Sequence, residues 1–476
     1  MIARSRSGAA RVLLALAAAV VLLLPAAPVQ ALSLDFSDAT ATSTFNQGID
    51  FSIKMTASEA PSRVEIHILF PGATGPFVVN LADQPGVPFQ PKAGTSTLHY
   101  TLDTSAGGHI MPNTPITTTW VAYFQNGGAP FSSVPSDYRY DDETQKWQTL
   151  RDGIVTVHWT TGSQSFAQHA ASVAVKALST NADVLGIAET EPVDFFIYAD
   201  DASFRAALGA GARENVGGEA ITEIRTLFAE FTPDILNDPW VGITITHELT
   251  HQVVDDATNN PYRTLPRWLN EGFAVYQSEG NAAKYRSMVK DAVSSGDLLP
   301  LTALGWQFPT DPSKTVLAYA ESVSAVDYIV RQYSKDALTK LILAYKNGPT
   351  DDEAMQAAIG KDMAAFQTEW LGAISAPTPS PFGPQPGPSG PLPSDWLGAA
   401  ASGTPVASAA PSNAAPSPAA STGPTAATST APTASPAPGS GGSSGGDLTL
   451  VLVAVVVVAG VVLAGIIVAG RRTSST

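Results

Sequence analysis

Asp238-Pro239-Trp240-Val241-Gly242-Ile243-Thr244-Ile245-Thr246-His247-Glu248-Leu249-Thr250-His251, closed by Asn259-Asn260-Pro261 and followed by Pro266-Arg267-Trp268-Leu269-Asn270-Glu271-Gly272-Phe273-Ala274-Val275-Tyr276, is the stretch on which the reading of this chain turns. Aspartate followed by proline opens a helix, since proline fits the first helical position and aspartate the cap before it. Asn-Asn-Pro closes it. On that helix His247 and His251 stand at i and i+4 and share a face, so both imidazoles can point at one ion while Glu248, beside them, can hold a water. The second stretch reads as a mostly apolar helix ending near Gly280, with a lone carboxylate, Glu271, among bulky neighbours. A buried carboxylate without a partner is costly, and a cation is the usual remedy. The other histidines, His67, His99, His109, His158 and His169, have no ligand spacing and are assigned structural or surface roles.

Nineteen residues separate His251 from Glu271, which lies in an Asn-Glu pair. This arrangement resembles the gluzincin zinc peptidases: thermolysin-like enzymes use that gap, and the wording Trp268-Leu269-Asn270-Glu271-Gly272-Phe273-Ala274 is similar to the M1 aminopeptidases. The overall match is to the peptidase MA-like family. The resemblance implies one Zn²⁺ held by His247, His251 and Glu271, with Glu248 as general base. Tyr319-Ala320-Glu321-Ser322, expected to open a helix running to Tyr333, resembles the segment in which M1-like enzymes place a tyrosine that donates to the oxyanion, and it implies that role for Tyr319. Gly211-Ala212-Arg213-Glu214-Asn215 resembles the Gly-x-Met-Glu-Asn motif, with arginine in place of methionine, and implies a hold on a substrate amine by Glu214. Asn270, and Asp255 or Asp256, are expected to orient the imidazoles from behind.

Outside the motif the chain divides by composition. Residues 1–31 read as an export signal, with Arg4, Arg6 and Arg11 before an apolar run and Val29-Gln30-Ala31 at the cleavage point; an uncleaved anchor is the alternative. Residues 32–142 alternate apolar and polar, as in Ile49, Phe51, Ile53 and Met55, between stretches rich in Pro, Gly, Ser and Asn, which suggests a β-sandwich of immunoglobulin or fibronectin type III character. Residues 143–376 read as an α+β domain, with strands at 154–159, 193–198 and 221–228 before the motif helix and mostly helix after it. Residues 377–446 are Pro, Ala, Ser, Thr and Gly with almost no charge, a disordered stalk. Residues 447–470 hold an uncharged run long enough to span a bilayer, and Arg471-Arg472 in the tail 471–476 places that end in the cytoplasm, with everything before it outside.

The absence of cysteine removes disulfides, thiolate metal sites and a cysteine nucleophile. A net charge of −16, more negative once the leading arginines are gone, disfavours nucleic acid and anionic lipid as partners. The expectation is an extracytoplasmic, membrane-anchored zinc metallopeptidase acting on peptides or proteins. Two alternatives stand beside it: an M1-like aminopeptidase within the same class, and a cell-surface binding protein whose zinc domain is inert.

Overall fold

The structure, a computed structural model, describes residues 32–84, 90–105, 109–125, 128–209, 217–260 and 264–383. The export signal, the stalk beyond residue 383, the apolar run at 447–470, the tail and Glu214 lie outside the described residues. Among the described residues no helix is long and apolar enough to cross a membrane.

Period-two alternation builds the first part of the chain. Its strands are β1 (Leu34–Thr44), β2 (Gly48–Ala57), β3 (Arg63–Leu69), β4 (Phe77–Asn80), β5 (Gly94–Asp103), β6 (Thr114–Tyr123), β7 (Phe131–Ser132) and β8 (Ser136–Tyr140). They pair antiparallel into two sheets, β1-β2-β5 and β4-β3-β6-β7, with β8 also on β6. Ile49, Phe51, Ile53 and Met55 from the first sheet share one buried core with Val64, Ile66, Ile68, Ile116 and Trp120 from the second. Every second residue is apolar because every second side chain points inward.

The second part begins with β9 (Gln148–Asp152) and β10 (Val155–Trp159), crosses through α1 (Gln164–Leu185) to β11 (Val193–Tyr198), and continues through α2 (Asp201–Leu208) to β12 (Gly218–Ile221) and β13 (Thr226–Glu230). The strand order is β12-β13-β11-β10-β9, with β10, β11 and β13 parallel and the two outer strands antiparallel. The predicted single strand at 221–228 is thus a hairpin. A short 3₁₀ turn at Thr222–Ile224 and Arg225 at φ 51° reverse the chain, so the sheet edge is β12.

Both faces of this sheet are covered. Val193, Phe195 and Ile197 of β11 and Leu227 and Ala229 of β13 join the helical core. Phe196, Tyr198 and Phe228, pointing the other way, pack with Phe204, Ala207 and Leu208 of α2 and with Met111 from the first part. Polar contacts cross the same junction: Asn113 donates to Asp194 and Thr226, and Asn46 donates to the Ala206 carbonyl.

Helices then follow: α3 (Pro239–Thr258), α4 (Arg267–Ser278), α5 (Ala283–Ser295), α6 (Pro312–Gln332), α7 (Lys335–Ala344), α8 (Asp351–Ile359) and α9 (Met363–Ala373). α3 starts at Pro239 and ends at Asn259, whose left-handed backbone (φ 41°) terminates it as asparagine readily does. α6 differs from expectation. It opens not at Tyr319 but at Asp311-Pro312, where the Asp311 carboxylate accepts from Lys314 N, so Tyr319 sits well inside the helix. α4 and α6 cross so closely that a Cβ on Gly272 would lie 2.6 Å from the Ser322 carbonyl oxygen.

Candidate active site

α3 and α4 bring the sequence-predicted ligands together. His247, Glu248, His251 and Glu271 are all buried, at 1%, 0%, 4% and 1% exposure. His247 Nε2 lies 3.3 Å and His251 Nε2 3.6 Å from the same oxygen, Glu271 Oε2. Two ligands on a tetrahedral zinc with bonds of ~2.0–2.1 Å stand roughly 3.4 Å apart. His247, His251 and Glu271 form the one His/Cys/Asp/Glu group among the described residues with ligand atoms mutually close enough to hold a metal ion. His251 Nε2, buried and without a hydrogen-bond partner, is the kind of acceptor a cation satisfies. The chain's donor set therefore fits a divalent metal.

The supporting contacts explain the geometry. His251 Nδ1 is 3.0 Å from Asn270 Oδ1, so the ring donates there and turns Nε2 towards the ligand position. Asn270, expected behind the imidazoles, lies against His251. Asp255 and Asp256 do not. Asp256 pairs with Arg225 at 2.5 Å and accepts from Gln252, while Asp255 accepts from Thr222 at the hairpin turn. Four residues of helix rise about 6 Å, which carries these short side chains past the imidazoles and over the turn instead. Behind the site, Asn181 of α1 donates to Thr250 Oγ1 and accepts from Gln277 of α4, a buried relay that fixes α1, α3 and α4 in register.

Glu248 is divided between two environments. The Ala220 backbone N–H of edge strand β12 donates to Oε2 at 3.0 Å, whereas Oε1 is buried with no partner. Burial pushes this carboxyl well above the usual carboxylate range, against the pull of the Ala220 N–H. Glu271 behaves oppositely. Burial pushes it up, but the neighbouring imidazoles of His247 and His251 and the charge of Arg267 outweigh that and hold it below the usual range. Burial likewise lowers His247, which favours the neutral imidazole that ligation requires.

Tyr319 comes to the same place from α6. Its ring centroid is 6.4 Å from that of His247, and its hydroxyl is buried without a hydrogen-bond partner. Burial raises the phenol well above its ordinary value, so it stays protonated and able to donate. Glu214 lies outside the described residues. His158, assigned a structural role, donates to Asp194 at 2.7 Å and stacks on Phe196, away from the metal group.

Two participants were not foreseen. The Ala220 amide left no trace in the sequence, because any residue but proline supplies a backbone N–H. Arg267 did leave one: it stands four residues before Glu271, and its Nη2 lies 3.2 Å from Glu271 Oε1.

Residues 173–376 match the model of the Peptidase MA superfamily. Among curated proteins, aminopeptidase M1-B of Oryza sativa subsp. japonica is 27% identical over 247 residues, covering 47% of this chain and 27% of the rice protein. Aminopeptidase M1-C of the same plant is 25% identical over 245 residues, with the same coverage. The chain thus spans about a quarter of the length of these relatives. Among solved structures, an aminopeptidase N family protein from Idiomarina loihiensis aligns with a TM-score of 0.39 at 11% identity, covering 71% of this chain and 76% of that one. An M1 zinc metallopeptidase from Deinococcus radiodurans aligns at 0.32 and 15% identity, covering 73% and 96%. With its two histidines and glutamate on adjacent helices, the segment 173–376 is similar to the gluzincin-like peptidases of the Peptidase MA superfamily.

Proposed function

We propose that the chain hydrolyses peptide bonds with one zinc ion held by His247, His251 and Glu271. The observation that carries this reading is the convergence of those three ligand atoms beside Glu248 Oε1 and the Tyr319 hydroxyl, both buried and unpartnered. Zinc in such a site supplies Lewis acidity, making a water acidic enough to attack at neutral pH and polarising the carbonyl. Glu248 does the proton work. With Oε2 pinned by Ala220 N–H, the free Oε1 takes the proton of the attacking water and passes it to the leaving amine. The Tyr319 phenol donates to the carbonyl oxygen as negative charge grows there. An extended substrate would lie along edge strand β12, the usual way a cleft captures peptide backbone.

Within this class, the rice relatives' name and the resemblance at Glu214 favour an aminopeptidase. A peptide with a blocked N-terminus separates the cases, since an endopeptidase cuts it and an aminopeptidase does not. Export by residues 1–31 and anchoring by 447–470 complete the proposal, supported by their composition.

The test is metal content by mass spectrometry together with hydrolysis of quenched casein and of short peptides, on the full chain and on His251→Ala and Glu248→Ala. One zinc per chain, lost in the first variant and retained without activity in the second, is expected. Zinc in the wild type with no hydrolysis of any substrate would favour the binding-protein alternative, and no zinc in any sample would remove the site.

A further inference from the structure

The site contains a buried cation that the ligand set leaves out. Arg267 opens α4, and its side chain is only 9% exposed. Its backbone N–H donates to the Gly305 carbonyl at 2.7 Å, and its guanidinium lies 5.1 Å from the centroid of the Phe308 ring. Phe308 in turn meets Tyr319 edge-on, centroids 5.1 Å apart. Sequestering a guanidinium costs several kcal/mol unless something compensates it. Glu271 is the carboxylate paired with it, and the contact runs to one of its two oxygens.

That oxygen is Oε1, 3.2 Å from Arg267 Nη2, while Oε2 faces the two imidazoles at 3.3 and 3.6 Å. A carboxylate free to turn can offer a metal one oxygen or both. A buried guanidinium held against the Phe308 face opposes that turn by charge, because Oε1 cannot approach the ligand position without drawing away from the cation beside it. We propose that Arg267 is a positioning residue that makes Glu271 a one-oxygen ligand, which would leave the rest of the metal's coordination open to water and substrate. This role rests on the zinc-site reading above and adds to it the geometry of the carboxylate.

The test uses the full chain loaded with Co²⁺, whose visible absorption is intense in four-coordinate sites and weaker when coordination expands. The wild type gives the intense spectrum. Arg267→Met, which frees Oε1, loses intensity, and on zinc-loaded protein its kcat falls ~10–100-fold with KM nearly unchanged. Arg267→Lys, which keeps the charge without the planar fork, falls between them and serves if the methionine variant does not fold. In a Glu271→Gln background, where the side chain has a single oxygen to give, Arg267→Met changes the spectrum no further. A spectrum unaltered by either arginine variant, or altered equally in the Glu271→Gln background, overturns the role of Arg267 alone. A wild type that takes up neither Co²⁺ nor Zn²⁺ overturns the metal site and this role with it.

Discussion

Replacing Gly272 with alanine probes the contact on which the site's geometry depends. The added Cβ would lie 2.6 Å from the Ser322 carbonyl oxygen, 2.7 Å from its carbon and 2.9 Å from Val326 Cγ2. Ordinary contact begins near 3.4 Å, and the blocking atoms are α6 backbone, so α4 and α6 must part by roughly 0.8 Å. Overpacking of this kind costs ~1–3 kcal/mol, of which alanine regains up to ~1 kcal/mol through helix propensity, leaving a net loss of up to about 2 kcal/mol. In a domain of this size that lowers Tm by up to about 8 °C. Activity should suffer more than stability. Glu271 is the neighbour of Gly272 on one helix, Tyr319 lies one turn before Ser322 on the other, and a misplacement of this order costs as much as ~100-fold. The assay is a thermal melt beside kcat and KM, with zinc content confirming that the ligands still bind. A Gly272→Ala chain with wild-type Tm and wild-type kcat would refute the argument that this helix crossing sets the distance between Glu271 and Tyr319.

The remaining predictions concern the base and a second buried acid. In Gly218→Ala the new methyl would stand 2.8 Å from Thr244 Cγ2 and 3.6 Å from Glu248 Cγ, lifting β12 and its Ala220 amide from Glu248. We expect kcat to fall ~10-fold or more with zinc content unchanged, since proton transfer by a positioned base is worth ~10²–10⁴-fold, and an unchanged kcat would show that the amide does not position the base. Glu321, fully buried in α6, is pushed up by burial to about 8 although the Leu299 N–H it accepts pulls the other way. Its folded-state value exceeds that of the unfolded chain, so the folded protein keeps a proton that the unfolded chain releases between pH ~4.5 and about 8, and wild-type stability falls as pH rises through that window. Glu321→Gln cannot titrate, so its Tm relative to wild type should rise from pH 5 to pH 8, and parallel Tm curves would contradict this. Removing the metal with a chelator should lower the Tm of the wild type and leave that of His251→Ala unmoved, as loss of a ligand that binds only the folded state requires.

What the sequence alone determined is local. His247 and His251 share a face because four residues make about one helical turn, and the Asp-Pro and Asn-Asn-Pro boundaries of α3 follow from backbone chemistry. Strands β2, β3, β10 and β11 could likewise be located from the apolar pattern, since the alternation is itself the record of which side chains face a core. Asn270 was legible because it adjoins a ligand in sequence. The tertiary structure decided whatever depends on distant segments meeting. It placed β12 rather than 221–228 at the sheet edge, drew Asp255 and Asp256 away to the hairpin turn, and set Tyr319 inside α6 beside His247. It alone supplied the Ala220 amide, a backbone group with no side-chain signature, and it gave Arg267 and the imidazoles different oxygens of Glu271. A sequence pattern reports which face of its own element a residue occupies. Which atom of another element stands opposite is set by how helices and strands cross, here through close approaches at Gly218 and Gly272 that only the absence of a side chain permits.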